Sequence, residues 1–228
     1  MPANCPHWRP RLPSPDGKRS RSHRPSDQSY DLRANATLHY EEATLNTQPV
    51  LFIQGAGMMH DPEGSGRLAA YLARELSADY RVIAPEMPDA DNPHYQPWRD
   101  RIEQELEATD QEVILVGHSL GGSVLLKYLA EGSYRKPVPG LFLVSVPNWG
   151  PDGWAYDEFA APNDVGSRLP ASRIFLYHSR DDPEVPFAHL GYYQERLPQA
   201  TARPVDGSEH SFVAGLPMLV DDIKRLRR

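Results

Sequence analysis

The most informative residue of the chain is Ser119, the central residue of a Gly-His-Ser-Leu-Gly run. The apolar segment 112–116 precedes this run and the apolar segment 122–130 follows it, which predicts a strand, a sharp turn and a helix. The two flanking glycines let the chain reverse tightly, so that the serine hydroxyl is lifted above the edge of a sheet. A hydroxyl in that position is suited to nucleophilic attack.

A serine hydroxyl is a poor nucleophile at neutral pH, so Ser119 needs a histidine to take its proton and a carboxylate to orient that histidine. Reacting groups of open α/β sheets gather at the carboxyl ends of strands, so both partners are expected directly after downstream strands. Asp181 and Asp182 follow the apolar run 173–178 and are the candidate acids. The alternative role of either residue is to cap the turn or the helix that follows.

The candidate base is His210, the single histidine of the polar loop 206–212 ahead of the final predicted helix. A lone histidine in a loop is commonly a solvated side chain, so its position after a strand downstream of Ser119 supports the catalytic interpretation. His118 is expected to point away from the serine oxygen and to pack or hydrogen-bond. His178 ends a strand and is expected to be structural.

An acyl-transfer site also needs donors for the negative oxygen of the tetrahedral intermediate. The amide of Leu120, directly after the nucleophile, is the first expected donor. The second is expected from the glycine-rich turn after the apolar run 50–54, where the amide of Ala56 is preferred over that of Gly57. A phosphate-binding loop here would need the P-loop lysine or the full dinucleotide fingerprint, and the chain has neither. No cofactor and no metal site are expected.

The elements that must position these residues alternate between apolar strands and amphipathic helices from Ala36 onward. This alternation predicts an α/β fold with a mostly parallel sheet and helices on both faces. The expected strands are 37–41, 50–54, 80–84, 112–117, 141–146, 173–178 and 202–205. The helix after Ser119 is expected to be buried nearly all round and to stop at Gly132. Pro204 is expected to place the last strand at a sheet edge.

Composition predicts one acidic domain behind a basic tail. The chain has 228 residues, 39% hydrophobic and 24% charged, and no apolar stretch near the roughly 18 residues of a membrane span. Residues 1–33 have a net charge of +4, which leaves −11 for the remainder. The Pro-, Arg- and Ser-rich segment 1–35 is expected to be disordered, and 36–228 to form the α/β domain.

The single cysteine, Cys5, excludes an intrachain disulfide and favours a reducing compartment, so a cytoplasmic location is expected. The basic tail could contact nucleic acid, but a solvated tail is the favoured interpretation. The expected partner is a small-molecule acyl substrate, with no membrane contact.

Four segments together resemble the α/β-hydrolase superfamily: residues 52–57, 116–122, 179–186 and 207–210. The resemblance covers about residues 36–228 and implies a Ser-His-Asp hydrolase, with Ser119, Asp182 and His210 in the superfamily's chain order. The Asp-Pro-x-Val-Pro run resembles the acid turn of these hydrolases and favours Asp182 over Asp181.

Within the superfamily, the chain is similar to the small, lidless serine hydrolases related to retinoblastoma-binding protein 9, through residues 84–88 and Trp98. Two positions depart from the superfamily pattern. Gln54 stands where many relatives have a histidine, and Glu209 stands where a glycine often precedes the catalytic histidine. Neither departure removes a member of the triad.

The segment 147–172 between two predicted strands is too short for a full cap domain. Its Trp149 and Trp154, together with Gly57, are expected to line a shallow apolar pocket over Ser119, although the two tryptophans could equally anchor the loop on the sheet. Four acidic residues of the segment are expected to disfavour strongly anionic substrates: Asp152, Asp157, Glu158 and Asp164.

The expected function is hydrolysis of small carboxylic esters, or of thioesters or amides, through an acyl-enzyme intermediate. Two alternatives remain open at this point. The first is a catalytically silent binding protein on the same fold, and the second is a cofactor-free perhydrolase that uses the same triad.

Overall fold

The computed structural model describes residues 47–61, 64–132, 134–150, 153–154 and 157–227. The expected strand 37–41 and the expected disordered tail 1–35 lie outside these residues. The domain division therefore stays a prediction.

Six strands form one parallel sheet in the order β2-β1-β3-β4-β5-β6. They are β1 Gln48–Ile53, β2 Tyr80–Ile83, β3 Ile114–His118, β4 Leu141–Val144, β5 Ile174–Ser179 and β6 Thr201–Val205. The chain runs from β1 outward to β2 and then returns to the other side of β1 to form β3. This reversal creates a switch point between β1 and β3, where loops diverge and α/β sheets bind ligands. Ser119 directly follows β3.

Helices cover both faces of the sheet, as the strand and helix periodicities predict. They are α1 Gly66–Leu76, α2 Tyr95–Glu107, α3 Leu120–Ala130, α4 Val165–Arg168, α5 Ala188–Arg196 and α6 Pro217–Arg225. Short 3-10 helices occupy Ser77–Asp79 and Asp157–Phe159.

Alternate residues of each strand face opposite layers of the core, because side chains along a strand alternate. Leu51 and Leu115 pack in the layer that contains α2, α3 and α5. Phe52 and Val116 pack in the layer that contains α1 and α6. Both faces of the central strands are therefore buried, which explains why those strands are continuous apolar runs.

Several predictions about individual elements are confirmed. Ten of the eleven residues of α3 are buried, and Gly132 has a φ of 74° just after the helix ends. Pro204 lies on β6, which forms an edge of the sheet. The described part of the β4–β5 connection holds only α4 and one 3-10 helix, with no separate cap domain. None of the described helices is long and apolar enough to cross a membrane.

Candidate active site

Ser119 has a backbone conformation that non-glycine residues rarely adopt, with φ 50° and ψ −125°. Such strained conformations persist only where surrounding bonds hold them, and they occur frequently at functional sites. Here the Ser119 amide donates to the carbonyl oxygen of Val144 at 2.8 Å, and the amide of Gly122 donates to the carbonyl oxygen of Ser119 at 3.0 Å. The serine is therefore fixed at the junction of β3 and α3.

The glycines that flank Ser119 are required by close backbone contacts. A Cβ atom on Gly121 would lie 2.3 Å from the backbone oxygen of Gln54, and one on Gly117 would lie 2.5 Å from the Cα atom of Gly122. Any side chain at these positions would push α3 away from β1 or β3. The prediction that small residues permit the tight turn is confirmed, and the atoms responsible are backbone atoms.

Asp182 and His210 are joined by a hydrogen bond of 2.9 Å between Oδ2 and Nδ1. The side chain of Asp182 is fully buried and that of His210 is 7% exposed. The amides of Glu184 and Val185 donate to Oδ1 of Asp182 at 2.9 and 2.8 Å. Since Nδ1 of His210 donates to the carboxylate, its Nε2 atom is left as the proton acceptor.

Burial acts to raise the pKa of Asp182, but the hydrogen bond and positive charge of His210 and the amide of Val185 outweigh it and lower the pKa to about 2. Asp182 is therefore a carboxylate throughout the neutral range. Asp181, the other candidate acid, is exposed and accepts a hydrogen bond from the Ser179 hydroxyl instead. Of the two, Asp182 is the one that bonds to His210.

His118 bonds through both ring nitrogens. Its Nε2 atom lies 2.9 Å from the carbonyl oxygen of His210, and its Nδ1 atom lies 2.7 Å from the hydroxyl of Ser65. A carbonyl only accepts, so Nε2 carries the hydrogen and Ser65 donates to Nδ1. Burial, followed by the charge of His210, lowers the pKa of His118 to about 3. His118 is neutral and fully engaged, which confirms its expected hydrogen-bonding role.

Ser65 connects two loops of the site. Its hydroxyl accepts a hydrogen bond of 2.8 Å from the amide of Gly55, next to Ala56, while it donates to His118. Ser65 could not be recognised from the sequence, because a serine between two glycines before a helix is typical of an ordinary helix cap. Its partner lies 53 positions away in the chain.

His210 packs against His118, the residue directly before Ser119, with ring centroids 4.9 Å apart. Among the described residues, no hydrogen bond joins the Ser119 hydroxyl to His210. Serine–histidine bonds of this kind are commonly long in an empty site and shorten when substrate binds.

The two expected oxyanion donors are unused within the described part of the chain: the amides of Ala56 and Leu120 have no hydrogen-bond partner there. Leu120 is the first residue of α3, where helical amides have no intrahelical acceptor. The alternative donor, Gly57, already donates to the carbonyl oxygen of Ala90 at 2.7 Å. The contacts therefore favour Ala56 over Gly57.

Glu209 has a φ of 51°. This is the left-handed region, where glycine is free of strain and other residues are not. Glu209 therefore adopts the backbone conformation that suits glycine, at the position where the superfamily resemblance predicts a glycine.

The two tryptophans expected to line the pocket are anchored to the core. Nε1 of Trp149 donates to the hydroxyl of Ser123 at 2.7 Å, and the ring centroid of Trp149 is 5.3 Å from that of Trp154. Phe159 packs at 5.4 Å from the other side of this pair. These contacts support the anchoring alternative, and a role of the tryptophans over Ser119 stays a prediction.

Two of the four acidic residues between β4 and β5 have local partners. Glu158 accepts from the amide of Tyr95 at 2.7 Å, and Asp164 pairs with Arg168 at 2.7 Å. Asp152 and the side chain of Asp157 lie outside what the structure describes.

A cleft of about 180 Å³ opens beside the carboxyl end of β1. Its lining residues are Gln54, Met58, Met59, His60, Glu86, Met87, Asp89, Ala90 and Asp91. The lining combines apolar, acidic and neutral polar side chains, with His60 3.0 Å from Glu86, and it includes no lysine or arginine. Within the described ranges, this cleft included, no group of three or more histidine, cysteine or acidic side chains could hold a metal ion.

A family model described as serine hydrolase matches residues 64–210, which is more than half of the chain. This chain belongs to the serine hydrolase family. No curated protein sequence matches this serine hydrolase significantly. The narrower resemblance to relatives of retinoblastoma-binding protein 9 stays a prediction.

Solved structures share the fold of this serine hydrolase. The ydeN gene product of Bacillus subtilis is 21% identical with a TM-score of 0.66, and the match covers 79% of this chain and 99% of that one. The meta-cleavage product hydrolase CumD of Pseudomonas fluorescens is 19% identical with a TM-score of 0.60, covering 80% and 89%. Est1E of Butyrivibrio proteoclasticus is 14% identical with a TM-score of 0.59, covering 80% and 87%. At these identities the likeness shows the α/β-hydrolase fold alone.

Proposed function

We propose that this serine hydrolase cleaves small carboxylic esters through an acyl-enzyme intermediate, with Ser119 as nucleophile, His210 as base and Asp182 as the acid that orients His210. The observation that carries the proposal is the Asp182–His210 hydrogen bond of 2.9 Å. His118 links His210 to Ser119, the next residue, which has the strained conformation of a nucleophile elbow.

In the proposed reaction, Ser119 attacks the carbonyl carbon while Nε2 of His210 takes the hydroxyl proton. The carbonyl oxygen becomes negative and is stabilised by the amides of Ala56 and Leu120. The tetrahedral intermediate then collapses: the bond to the alcohol breaks, and His210 returns its proton to the leaving oxygen. Water repeats the sequence on the acyl-enzyme, which releases the acid and restores Ser119.

The absence of a separate cap domain in the described part of the chain supports small substrates, since only short segments lie between β4 and β5. Thioesters and amides fit the same chemistry. The leaving group of a p-nitrophenyl ester departs without full protonation, so esters of this kind are the most sensitive first substrates.

The test combines covalent labelling with turnover. A fluorophosphonate probe should label wild-type protein on the peptide that contains Ser119, as mass mapping would show. The Ser119→Ala variant should not be labelled, and its kcat on p-nitrophenyl esters should fall by on the order of 10⁶. Ser123→Ala is the matched control, because it removes another buried hydroxyl of α3.

Labelling and turnover that survive in Ser119→Ala would contradict the assignment of the nucleophile. An unlabelled wild-type protein whose circular dichroism shows an intact fold would instead support the alternative of a silent binding protein.

A further inference from the structure

The carboxylate of Glu184 lies close to the working nitrogen of the proposed base. Its Oε2 atom lies 3.8 Å from Nε2 of His210. Nε2 is the atom that must face Ser119 and the substrate, because Nδ1 bonds to Asp182. A carboxylate at this distance therefore lies beside the place where the substrate reacts.

The backbone of Glu184 is fixed while its side chain is accessible. Its amide donates to Oδ1 of Asp182 at 2.9 Å, and the next residue, Val185, is completely buried. The side chain of Glu184 is 52% exposed. The carboxylate is thus held at the rim of the site and remains free to meet a ligand.

No lysine or arginine of the described residues neutralises Glu184. The nearest basic residue in sequence, Arg180, pairs with Asp206 at 3.2 Å and lies over the ring of Phe187 at 4.8 Å. The cleft beside β1 also carries the acidic side chains of Asp89 and Asp91, and of Glu86 next to His60 at 3.0 Å, and its lining includes no lysine or arginine. A substrate that approaches Ser119 therefore meets negative charge.

We propose that Glu184 selects substrates by charge, so that esters with a cationic ammonium group in the acyl part are preferred over neutral esters of the same shape. This inference rests on the proposed ester hydrolysis and names its substrate class. A cation placed next to Glu184 gains an attraction that neutral groups lack, and an anion is repelled. Sequence analysis expected other acidic residues to act on substrate charge, and Glu158 and Asp164 instead have local partners.

The test compares two p-nitrophenyl esters of equal shape, one of trimethylammoniobutyrate and one of its neutral tert-butyl counterpart. The wild type should show a higher kcat/KM for the cationic ester. Glu184→Gln should reduce this preference by about ten-fold, the effect expected for charges roughly 6 Å apart at an effective dielectric constant of about 40, between the values for a protein surface and for bulk water. Raising NaCl from about 20 mM to about 500 mM should shrink the wild-type preference and leave that of the variant nearly unchanged.

Glu195→Gln is the matched control, because it makes the same substitution at an exposed glutamate in the last turn of α5. It should leave the preference unchanged. A Glu184→Gln variant that changes both kcat/KM values equally would overturn the proposal, since Glu184 would then act only on His210. An unchanged ratio would overturn it too. If the fluorophosphonate probe still labels Ser119, either result contradicts only the role of Glu184 and not the proposed hydrolysis. Labelling that persists in the Ser119→Ala variant would contradict the hydrolysis itself.

Discussion

Nε2 of His118 donates to the backbone carbonyl oxygen of His210 at 2.9 Å. Because His118 directly precedes Ser119, this bond ties the backbone of the proposed base to the turn that holds the proposed nucleophile. The hydroxyl of Ser65 sets the direction of the bond, since it donates to the other ring nitrogen and leaves the hydrogen on Nε2. Ser65 is thus a positioning residue for the site.

Replacing Ser65 by alanine should lower kcat by on the order of ten-fold with little change in KM, because a small displacement of His210 affects proton transfer more than substrate binding. Ser65→Thr keeps the hydroxyl and should restore most of the activity. Steady-state kinetics on a p-nitrophenyl ester measure both values. Tyr177→Phe is the control, because it removes a buried hydroxyl that bonds to Asp222 and not to the site. An equal loss of kcat in that variant would show that the loss of any buried hydroxyl has the same effect.

Replacing Asp182 by asparagine should lower kcat by roughly 10⁴, because the amide stabilises neither the required tautomer of His210 nor its protonated form. Asp181→Asn should change kcat by less than about ten-fold, since Asp181 bonds to Ser179. Kinetics of the two variants side by side distinguish the adjacent acids. A larger loss of kcat in Asp181→Asn than in Asp182→Asn would identify Asp181 as the carboxylate that orients His210.

Stability should fall as the pH falls from about 6.5 to about 4.5. Burial lowers the pKa of His118 to about 3 and that of His189 to about 4, below the ordinary 6.5. In this window the unfolded chain binds more protons than the folded one, so the free energy of unfolding decreases by up to about 1.4 kcal/mol per pH unit for each histidine. Asp182 contributes only at lower pH, because its pKa is about 2.

Urea unfolding at several pH values measures this slope. His189→Gln should flatten it, because glutamine can still accept from the amide of Asn148 but does not titrate. A slope that is identical in the variant would show that His189 binds protons equally in the folded and unfolded chains, so that burial does not lower its pKa.

Gly121→Ala should destabilise the fold by at least about 2 kcal/mol, because the new Cβ would lie 2.3 Å from a backbone oxygen of Gln54. Ester hydrolysis should fall with it, since the displaced α3 carries the amide of Leu120. Gly191→Ala is the matched control: nothing lies within 4 Å of its Cβ, and a helical alanine should stabilise by roughly 0.5–1 kcal/mol. Thermal unfolding measures both, and equal melting temperatures would refute the packing argument.

The elements and residues that could be predicted from the sequence are those marked by a pattern in neighbouring residues. The elbow around Ser119 combines glycine spacing with apolar flanks, and the strand before Asp182 is a continuous apolar run, so both could be predicted. Pro204 likewise predicted an edge strand, because proline has no amide hydrogen to donate within a sheet. The choice between Asp181 and Asp182 needed a resemblance, because neighbouring carboxylates differ only in the direction they face.

Residues that act through distant contacts could not be predicted. Ser65 meets His118 across 53 positions, and nothing in its immediate sequence indicates this partner. Glu184 is close to Asp182 in sequence, but its importance comes from the nearby Nε2 of His210 on a different loop. For Trp149 and Trp154 the local signal was misleading. Their aromatic side chains predicted a pocket, but their hydrogen bond and ring contact anchor them to the core.

Pro204 on the edge strand β6 has a consequence for self-association. The carbonyl oxygen of Val205 accepts from the amide of Arg180 at 2.9 Å, so Val205 faces β5 and the preceding residue turns its backbone outward. Proline has no amide hydrogen to offer there. A strand from another molecule would find a gap in the donors along this edge, which protects the sheet from growing into an aggregate.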